Sequence, residues 1–231
     1  MAPPAQKSPT VLWRVTGITV IALAVLFLTM MLCMSVGEIS MPFASIRDVL
    51  ANHLLGLNIE VEPIDDGIIW NYRLTRAIVA ACCGAGLALS GVVLQTLLRN
   101  SLADPYLLGI SAGASTGAVL IVILGIGVGV VGLSMGAFAG AFAAFFFVAL
   151  LSNAMRAGPD RTILAGVAAS QLFNAVTAYI VTTAANAQQA RDVMFWLLGS
   201  FGGVRWPEFI LLSVVITMGL LGCLAYSRVL D

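Results

Sequence analysis

Long uncharged stretches constrain this chain more than any other feature. The clearest lies within residues 73–117, where two arginines precede an uncharged run over residues 77–98, a polar turn over 99–105 and a second apolar run. A helix formed by residues 77–98 would be about 30 Å long, which is the thickness of the hydrocarbon core of a bilayer. The pattern predicts a helical hairpin that crosses a membrane twice.

Composition separates this prediction from its alternative, a buried hairpin in a large soluble protein. The chain is 60% hydrophobic and only 10% charged, and its mean hydropathy is +1.03. A soluble domain carries about 25% charged residues. The sequence therefore predicts an all-α, polytopic transmembrane bundle. The formal net charge is zero, which argues against a nucleic-acid-binding surface.

The uncharged runs predict about six spans and one short re-entrant or interfacial helix. The first uncharged run, residues 15–37, is too long for the apolar core of a signal peptide. Residues 1–10 are predicted to form a disordered cytoplasmic tail and residues 11–231 a membrane domain. A short amphipathic helix is expected over residues 43–55 of the first loop. The predicted spans cover residues 15–37, 73–98, 107–124, 131–155, 162–184 and 209–227, with the re-entrant helix within 188–203.

Small residues recur at helical spacing in the third and fourth spans. Gly113 and Gly117 lie four residues apart, as do Gly132, Gly136 and Gly140. Helices in lipid gain little from apolar burial against each other, so they associate through small residues that allow close approach. We expect these glycines to be helix-packing positions.

The fifth span carries polar side chains on one face. Ser170, Asn174 and Thr177 follow each other at helical spacing. Polar groups in hydrocarbon are costly unless they are paired or face a wet cavity. Two interpretations remain open on the residues alone. This face either lines a translocation path or forms hydrogen bonds between helices.

The sequence offers no energy source and no cofactor site of its own. No charged residue lies deep in a predicted span, as an ion-coupled carrier usually requires, and no phosphate-binding Gly-x4-Gly-Lys-Ser/Thr loop is present. A transporter with neither a charged residue deep in a span nor a phosphate-binding loop is best explained by a separate ATPase subunit that supplies the energy. The four cysteines lack metal-ligand spacing and His53 is alone, so we predict no metal and no cofactor.

The hairpin motifs resemble a known family. They comprise Arg-Leu-x-Arg at 73–76, Gly-Ala-Gly-Leu-Ala-Leu-Ser-Gly at 84–91, Gln95, Arg-Asn-x-Leu-Ala-Asp-Pro at 99–105 and Leu-Gly-Ile-x-x-Gly-Ala at 108–114. This order is similar to the FecCD-type permeases of ABC importers for iron–siderophores, haem and cobalamin. Ile-Leu-Ala-Gly-Val-Ala at 163–168 and the segment 195–206 resemble the start of that family's fifth span and its re-entrant segment.

The resemblance implies a multi-pass permease subunit of the bacterial inner membrane with a cytoplasmic N-terminus. Its partners would be a second permease, two cytoplasmic ATP-binding subunits and an extracytoplasmic substrate-binding protein. The fifth span would lie along the pathway. The cargo would be a ferric siderophore first, then haem or cobalamin. Family members have about ten spans, so this chain is expected to be truncated or completed by another polypeptide.

The resemblance also implies roles for two polar clusters. Arg73 and Arg76 would form salt bridges with acidic residues of the binding protein, although snorkelling at the membrane interface is the alternative. Thr75 stands where the family has a proline. Arg99, Asn100, Asp104 and Pro105 would form a cytoplasmic turn near the ATPases, with a simple topological turn as the alternative.

Two other functions remain as alternatives. A truncated permease could have an assembly or interaction role without transport. An intramembrane serine hydrolase is the more remote alternative, because residues 109–113 match the Gly-x-Ser-x-Gly nucleophile pattern around Ser111. The only histidine, His53, is predicted to lie in an outer loop, whereas Ser111 is predicted near the cytoplasmic end of the third span.

Overall fold

A computed structural model describes residues 9–37, 39–125, 130–154 and 158–226. Its described residues form helices joined by turns, which confirms the all-α class. The elements are α1 (Pro9–Ser35), α2 (Phe43–Leu55), α3 (Pro63–Ile68), a π-helical segment (Ile69–Leu74), α4 (Thr75–Leu98), a 3-10 turn (Pro105–Leu108), α5 (Ile110–Leu124), α6 (Val130–Ala154), α7 (Pro159–Ala184), α8 (Ala187–Leu197) and α9 (Trp206–Ala225).

Five helical segments in the described part are long and apolar enough to cross a membrane. They are Trp13–Ser35, Pro63–Leu98, Gly132–Asn153, Asp160–Ala184 and Trp206–Ala225. The third predicted span is shorter than expected, because α5 has only 15 residues. The 3-10 turn and Gly109 occupy the positions that precede it. At about 1.5 Å per residue α5 is about 22 Å long, less than a full bilayer core.

Two helix starts differ from the predicted positions. The second span begins at Pro63 rather than at residue 73, since α3, the π-helical segment and α4 follow each other without a break. Proline at the first helical position and the acidic Asp65 and Asp66 in the first turn both favour a helix start there. Helix α1 begins at Pro9, so the last two positions of the predicted tail are helical, and residues 1–8 lie outside the described residues.

The first loop contains the amphipathic helix that its pattern predicts. Helix α2 spans Phe43–Leu55 and buries Ile46 and Val49. It ends at Gly56, which adopts the left-handed conformation with φ of 67° and donates its N–H to the Asn52 carbonyl. Glycine is common at this position because it has no Cβ to resist positive φ.

The chain divides into two compact units. The first contains Met1–Cys82 with Val204–Ile210, and the second contains Cys83–Gly203 with Leu211–Asp231. In the first unit the end of α1, helix α2 and the π-helical segment enclose an apolar core. Its buried members are Met34, Met41, Ile46, Val49, Ile69 and Leu74, with Trp70 and Trp206 packed against them. Because these residues come from distant parts of the sequence, the core fixes the loop between the first two spans.

Helices α5, α6 and α7 form the packed centre of the second unit. Glycines lie directly against each other where α5 meets α6. A Cβ on Gly117 would overlap the Gly136 carbonyl oxygen, and a Cβ on Gly140 would overlap that of Gly113. Gly132 lies one turn before Gly136 on the same helix. Backbone contact of this kind gives α5 and α6 strong dispersion attraction without large side chains.

Candidate functional site

The structure places the three polar residues of α7 in different surroundings. Thr177 is buried, Ser170 is half-buried and Asn174 is exposed. Asn174 lies about 60° from Thr177 around the helix. The side of α7 that packs within the unit includes Ala169 and Phe173, on the other side of Thr177 from Asn174. The face predicted from spacing is therefore divided between a packed edge and an exposed edge.

Thr177 forms a hydrogen bond between helices. Its Oγ1 lies 2.8 Å from the Oγ1 of Thr116 on α5, and Thr116 Oγ1 lies 3.0 Å from the carbonyl oxygen of Phe173. Both threonines are buried. Of the two interpretations that the sequence left open, the geometry at Thr177 fits hydrogen bonding between helices.

Ser170 lies where the turn before α5 meets α7. Its hydroxyl donates to the Gly166 carbonyl oxygen at 2.9 Å. Gly109 adopts a φ of +71°, and a Cβ there would lie 3.1 Å from the Ser170 nitrogen. A Cβ on Gly166 would overlap the Leu107 carbonyl oxygen. The turn thus rests directly on the α7 backbone, and Ser170 belongs to that contact.

Asn174 belongs to a polar exposed edge of α7. Gln171 and Thr182 are also exposed on this side of the helix. The Thr182 hydroxyl donates to its own helix, at the Ala178 carbonyl oxygen. The amides of Gln171 and Asn174 are the groups on this edge best suited to contact a solute or another protein, because amides exposed to hydrocarbon are costly. This edge is the part of the predicted site that remains a candidate lining for a path.

Helix α8 runs back alongside α5. It starts with a capping box in which Asn186 accepts from the Gln188 and Gln189 backbone N–H groups. The Gln189 side chain also donates to the carbonyl oxygens of Val122 and Ile123, at 3.3 and 3.4 Å, which lie at the end of α5. Carbonyls at a helix end otherwise lack partners. The contact fixes the start of α8 beside the C-terminal end of α5.

The other end of α8 reaches the N-terminal half of α5. Trp196 and Ser200 line a cavity of about 360 Å³ together with Ser111 and Ser115 of α5. Helix α8 is therefore antiparallel to α5 and, with 11 residues, too short to cross a bilayer. Gly199 reverses the chain beyond it with a φ of +77°. A helix of this length beside α5 is compatible with the predicted re-entrant or interfacial helix, and which of the two it is stays a prediction.

The described residues that line the cavity at Ser111, the serine of the nucleophile-like pattern, include no histidine, lysine or carboxylate. The sole histidine, His53, places its Nε2 2.9 Å from Asp66 Oδ1. Its ring also stacks on Trp70 with the centroids 4.0 Å apart. A serine nucleophile needs a base within hydrogen-bond reach. The ring of His53 therefore contacts Asp66 and Trp70, and the geometry gives no support to hydrolase chemistry.

Arg73 closes the end of α1. Its Nη1 donates to the carbonyl oxygens of Met34 at 2.6 Å and Ser35 at 3.1 Å, and its Nη2 donates to that of Ile39. These carbonyls lie in and after the last turn of α1, where a cation is favoured and acceptors lack helical partners. The contact spans more than 30 positions in sequence, so helical spacing could not reveal it. It favours a structural role for Arg73.

Arg76 differs from Arg73, because it is exposed on the first turn of α4. Thr75 between them is buried, and its hydroxyl donates to the Asn71 carbonyl oxygen at 2.9 Å. That bond lies at the end of the π-helical segment and holds the turn that carries both arginines. Binding-protein docking stays a prediction for this pair, and Arg76 is the more exposed of the two.

Local hydrogen bonds shape the turn after α4. Asn100 Oδ1 accepts from the Leu102 nitrogen at 2.9 Å, and Asp104 Oδ1 accepts from the Tyr106 nitrogen at 2.7 Å. Arg99 has a positive φ of 47°, and Pro105 begins the 3-10 turn. Asx-type bonds of this kind are a common way to build tight turns. Contact with an ATPase stays a prediction for these residues.

Comparison with known proteins identifies the family. The model of the FecCD transport family matches residues 24–231. The chain belongs to the FecCD transport family. It is 39% identical to the cobalamin import system permease protein BtuC of Halobacterium salinarum over 70% of this chain and 43% of that protein. It is 30% identical to the molybdate import system permease protein MolB of Haemophilus influenzae over 82% of this chain and 55% of that protein.

A solved structure shares the fold of this FecCD family chain. It is described as a metal-chelate type ABC transporter in an inward-facing conformation, and it matches with a TM-score of 0.76 and 26% sequence identity. The match covers 93% of this chain and 63% of the other. The chain thus spans about half the length of the curated relatives named above.

Sequence reasoning missed several residues that organise this FecCD family chain. Thr116 and Gln189 make the polar contacts of α5 with α7 and α8, yet neither belongs to a recognisable motif. Gly166 lies in the Ile-Leu-Ala-Gly-Val-Ala motif at 163–168, whose pattern predicts no role for it, and it allows the turn at Leu107 to approach α7. The local signals were weak: two adjacent small residues at Ala165-Gly166 and a polar residue beside a small one at Thr116-Gly117.

Proposed function

We propose that this chain is the membrane-spanning permease subunit of an ATP-driven importer for a bulky metal complex. Its membership of the FecCD transport family over residues 24–231 is the observation that carries the proposal. The lack of charged residues deep in the predicted spans agrees with an energy source outside the chain.

The cargo is a complex recognised as a whole rather than a bare ion. A ferric siderophore is the cargo first expected from the sequence motifs, followed by haem and cobalamin. The relatives named for cobalamin and molybdate support the wider class of metal-containing solutes. The described residues contain no cluster of three or more metal-ligating side chains. The solute would therefore pass with its metal already enclosed by its own ligands.

The exposed edge of α7 supplies the path in this proposal. Gln171 and Asn174 offer amide donors and acceptors, which suit a solute rich in polar groups. Thr177 has a structural role in this proposal, since its hydroxyl forms a hydrogen bond with that of Thr116 on α5. We expect the second permease subunit, a homodimer mate, to complete the path by facing this edge.

The remaining partners follow from the same assignment. Two cytoplasmic ATP-binding subunits supply the energy, and the turn at Arg99–Pro105 faces them. A binding protein delivers the solute on the opposite side, near Arg76. The chain lies in the inner membrane with its N-terminus in the cytoplasm. A cysteine introduced in place of Ser101 would then be labelled only from the cytoplasmic side of sealed vesicles, and one in place of Asn58 only from the other side.

Reconstitution tests the function. The protein is placed in proteoliposomes with its cognate ATPase and binding protein, and uptake of radiolabelled ferric siderophore, haem, cobalamin and molybdate is measured. We expect ATP-dependent uptake of one metal complex, with Asn174→Leu lowering it about tenfold or more and the exposed Leu172→Ala leaving it nearly unchanged. Binding of the partners without uptake of any of these solutes would contradict transport and favour the assembly role.

A further inference from the structure

The segment Asn52–Ile59, here named the leucine loop, is closed by a two-way amide contact. Asn52 Nδ2 donates to the Ile59 carbonyl oxygen at 2.7 Å, and the Ile59 N–H donates to Asn52 Oδ1 at 2.6 Å. Gly56 and Asn58 inside the loop have positive φ values of 67° and 46°. The loop therefore has a defined shape that holds its tip side chains outward.

Three of those tip side chains are large and apolar. Leu54 is 69% exposed, Leu55 71% and Leu57 56%. Single exposed leucines are ordinary, but a contiguous apolar patch on a fixed loop usually marks an interaction surface. The core of this unit does not use them, since α2 buries Ile46 and Val49 instead. The loop presents an apolar tip that something other than this unit covers.

Helix α2, which carries this patch, begins where an exposed apolar series from α1 ends. Exposed apolar side chains follow the end of α1 and the connection to α2, at Leu32, Val36, Ile39 and Phe43. Helix α1 is one of the segments long and apolar enough to cross a membrane. Its exposed side chains thus face hydrocarbon, and the series leads from there to the start of the helix that carries the leucine loop.

The charges of α2 are compatible with a position at the lipid surface. Arg47 on the exposed face pairs with its neighbour Asp48 at 2.7 Å, so this part of the helix has little net charge. Within the described residues 39–62, the acids other than Asp48 are Glu60 and Glu62, and both are exposed after the loop. The sequence therefore changes from apolar to acidic at the point where the chain leaves the loop, as expected where a segment returns to water.

We propose that the leucine loop inserts into the interfacial zone of the bilayer, at the boundary of headgroups and acyl chains. The exposed apolar series that runs from α1 to the start of α2, together with the paired charges on α2, favours lipid over a protein partner as the occupant. The insertion fixes the level of α2 relative to the membrane, because the Asn52–Ile59 contact transmits the position of the tip to the helix. The inference concerns membrane contact only and does not depend on which solute is transported.

Site-directed spin labelling tests this contact. The four native cysteines are replaced by alanine, and Leu55→Cys or Glu62→Cys is labelled in the full polypeptide in nanodiscs of phosphatidylethanolamine and phosphatidylglycerol. The ratio of collision rates with oxygen and with a water-soluble nickel chelate is then measured. We expect the ratio to be about fivefold or more higher at position 55 than at position 62, because oxygen concentrates in lipid. Equal ratios would overturn the proposal.

Three further measurements distinguish lipid contact from misfolding of a single variant and from contact with a protein partner. Leu57→Cys repeats the test at a second tip position, and Asn52→Ala should reduce the difference between tip and control by opening the loop. If the label at position 55 is exposed to nickel in the nanodisc and becomes protected only when the substrate-binding protein is added, the occupant is a protein and the lipid assignment is wrong.

Discussion

Replacement of Gly117 by alanine tests the central packing of the second unit. A Cβ at this position would overlap the carbonyl oxygen of Gly136 and lie 3.0 Å from the Cα of Gly140. Both atoms belong to the α6 backbone and cannot rotate away, so α5 and α6 must separate. Ordinary contacts of this type lie at about 3.5–4 Å, so the separation is of the order of 1 Å.

The magnitude follows from two opposing effects. Overpacking that moves backbone costs about 1–3 kcal/mol, and we expect the upper end because the methyl group meets backbone atoms. A separation of this size also weakens dispersion contacts along the rest of the helix pair. The gain in helix propensity from glycine to alanine offsets at most about 1 kcal/mol. We therefore expect Gly117→Ala to lower the free energy of unfolding by about 1–2 kcal/mol.

Gly84→Ala provides the matched control. Gly84 lies within α4, and a Cβ there would meet no atom within 4 Å. The same substitution should leave stability unchanged or raise it by up to about 1 kcal/mol. Reversible unfolding in bicelles, for example by steric trapping, measures both variants. Equal effects of the two substitutions would refute the argument that backbone contact between α5 and α6 decides the cost.

Three further experiments, with four substitutions, probe the polar contacts. A double-mutant cycle of Thr116→Val and Thr177→Val should give a coupling energy of about 0.6–1.7 kcal/mol by unfolding in bicelles, and additive effects would exclude their hydrogen bond. Arg73→Ala should cost about 2–3 kcal/mol of stability in the same assay, because it leaves carbonyls at the end of α1 without a charged donor; a neutral effect would contradict the cap. Gln189→Ala should raise amide exchange in α8 about threefold to tenfold, with unchanged exchange as the opposing result.

The sequence predicted the helices well because their signal is local. Uncharged runs bounded by polar turns fixed the ends of α6 to within one residue and those of α7 to within three, and identified α2 as a separate helix. A bilayer imposes the same length on every span, which makes hydropathy informative. The prediction was less accurate at Pro63 and at α5. Polar residues continue the helix outside the membrane in the first case, and a 3-10 turn shortens it in the second.

The candidate site was harder to predict because it depends on rotation of the helices. Spacing placed Ser170, Asn174 and Thr177 on one face, and they do lie within about 60° of each other. Yet the boundary between the packed and the exposed surface of α7 runs through that face. Thr177 therefore contacts α5, whereas Asn174 is exposed. Only the partner helices determine where this boundary falls, and no pattern within α7 encodes them.

The two arginines also show that spacing within one helix does not reveal the contacts of a side chain. Here this affects how a binding experiment is interpreted. Their spacing and the family resemblance assign Arg73 and Arg76 one shared role, but Arg73 donates to backbone carbonyls at the end of α1. A loss of binding-protein affinity in an Arg73 variant would therefore not demonstrate docking, since the same change would loosen the segment that carries the surface. Docking is demonstrated only if Arg76→Ala weakens binding of the binding protein while the free energy of unfolding is unchanged. Measuring both the binding-protein affinity and the free energy of unfolding for Arg73→Ala and Arg76→Ala distinguishes direct contact with the binding protein from structural support of the docking surface.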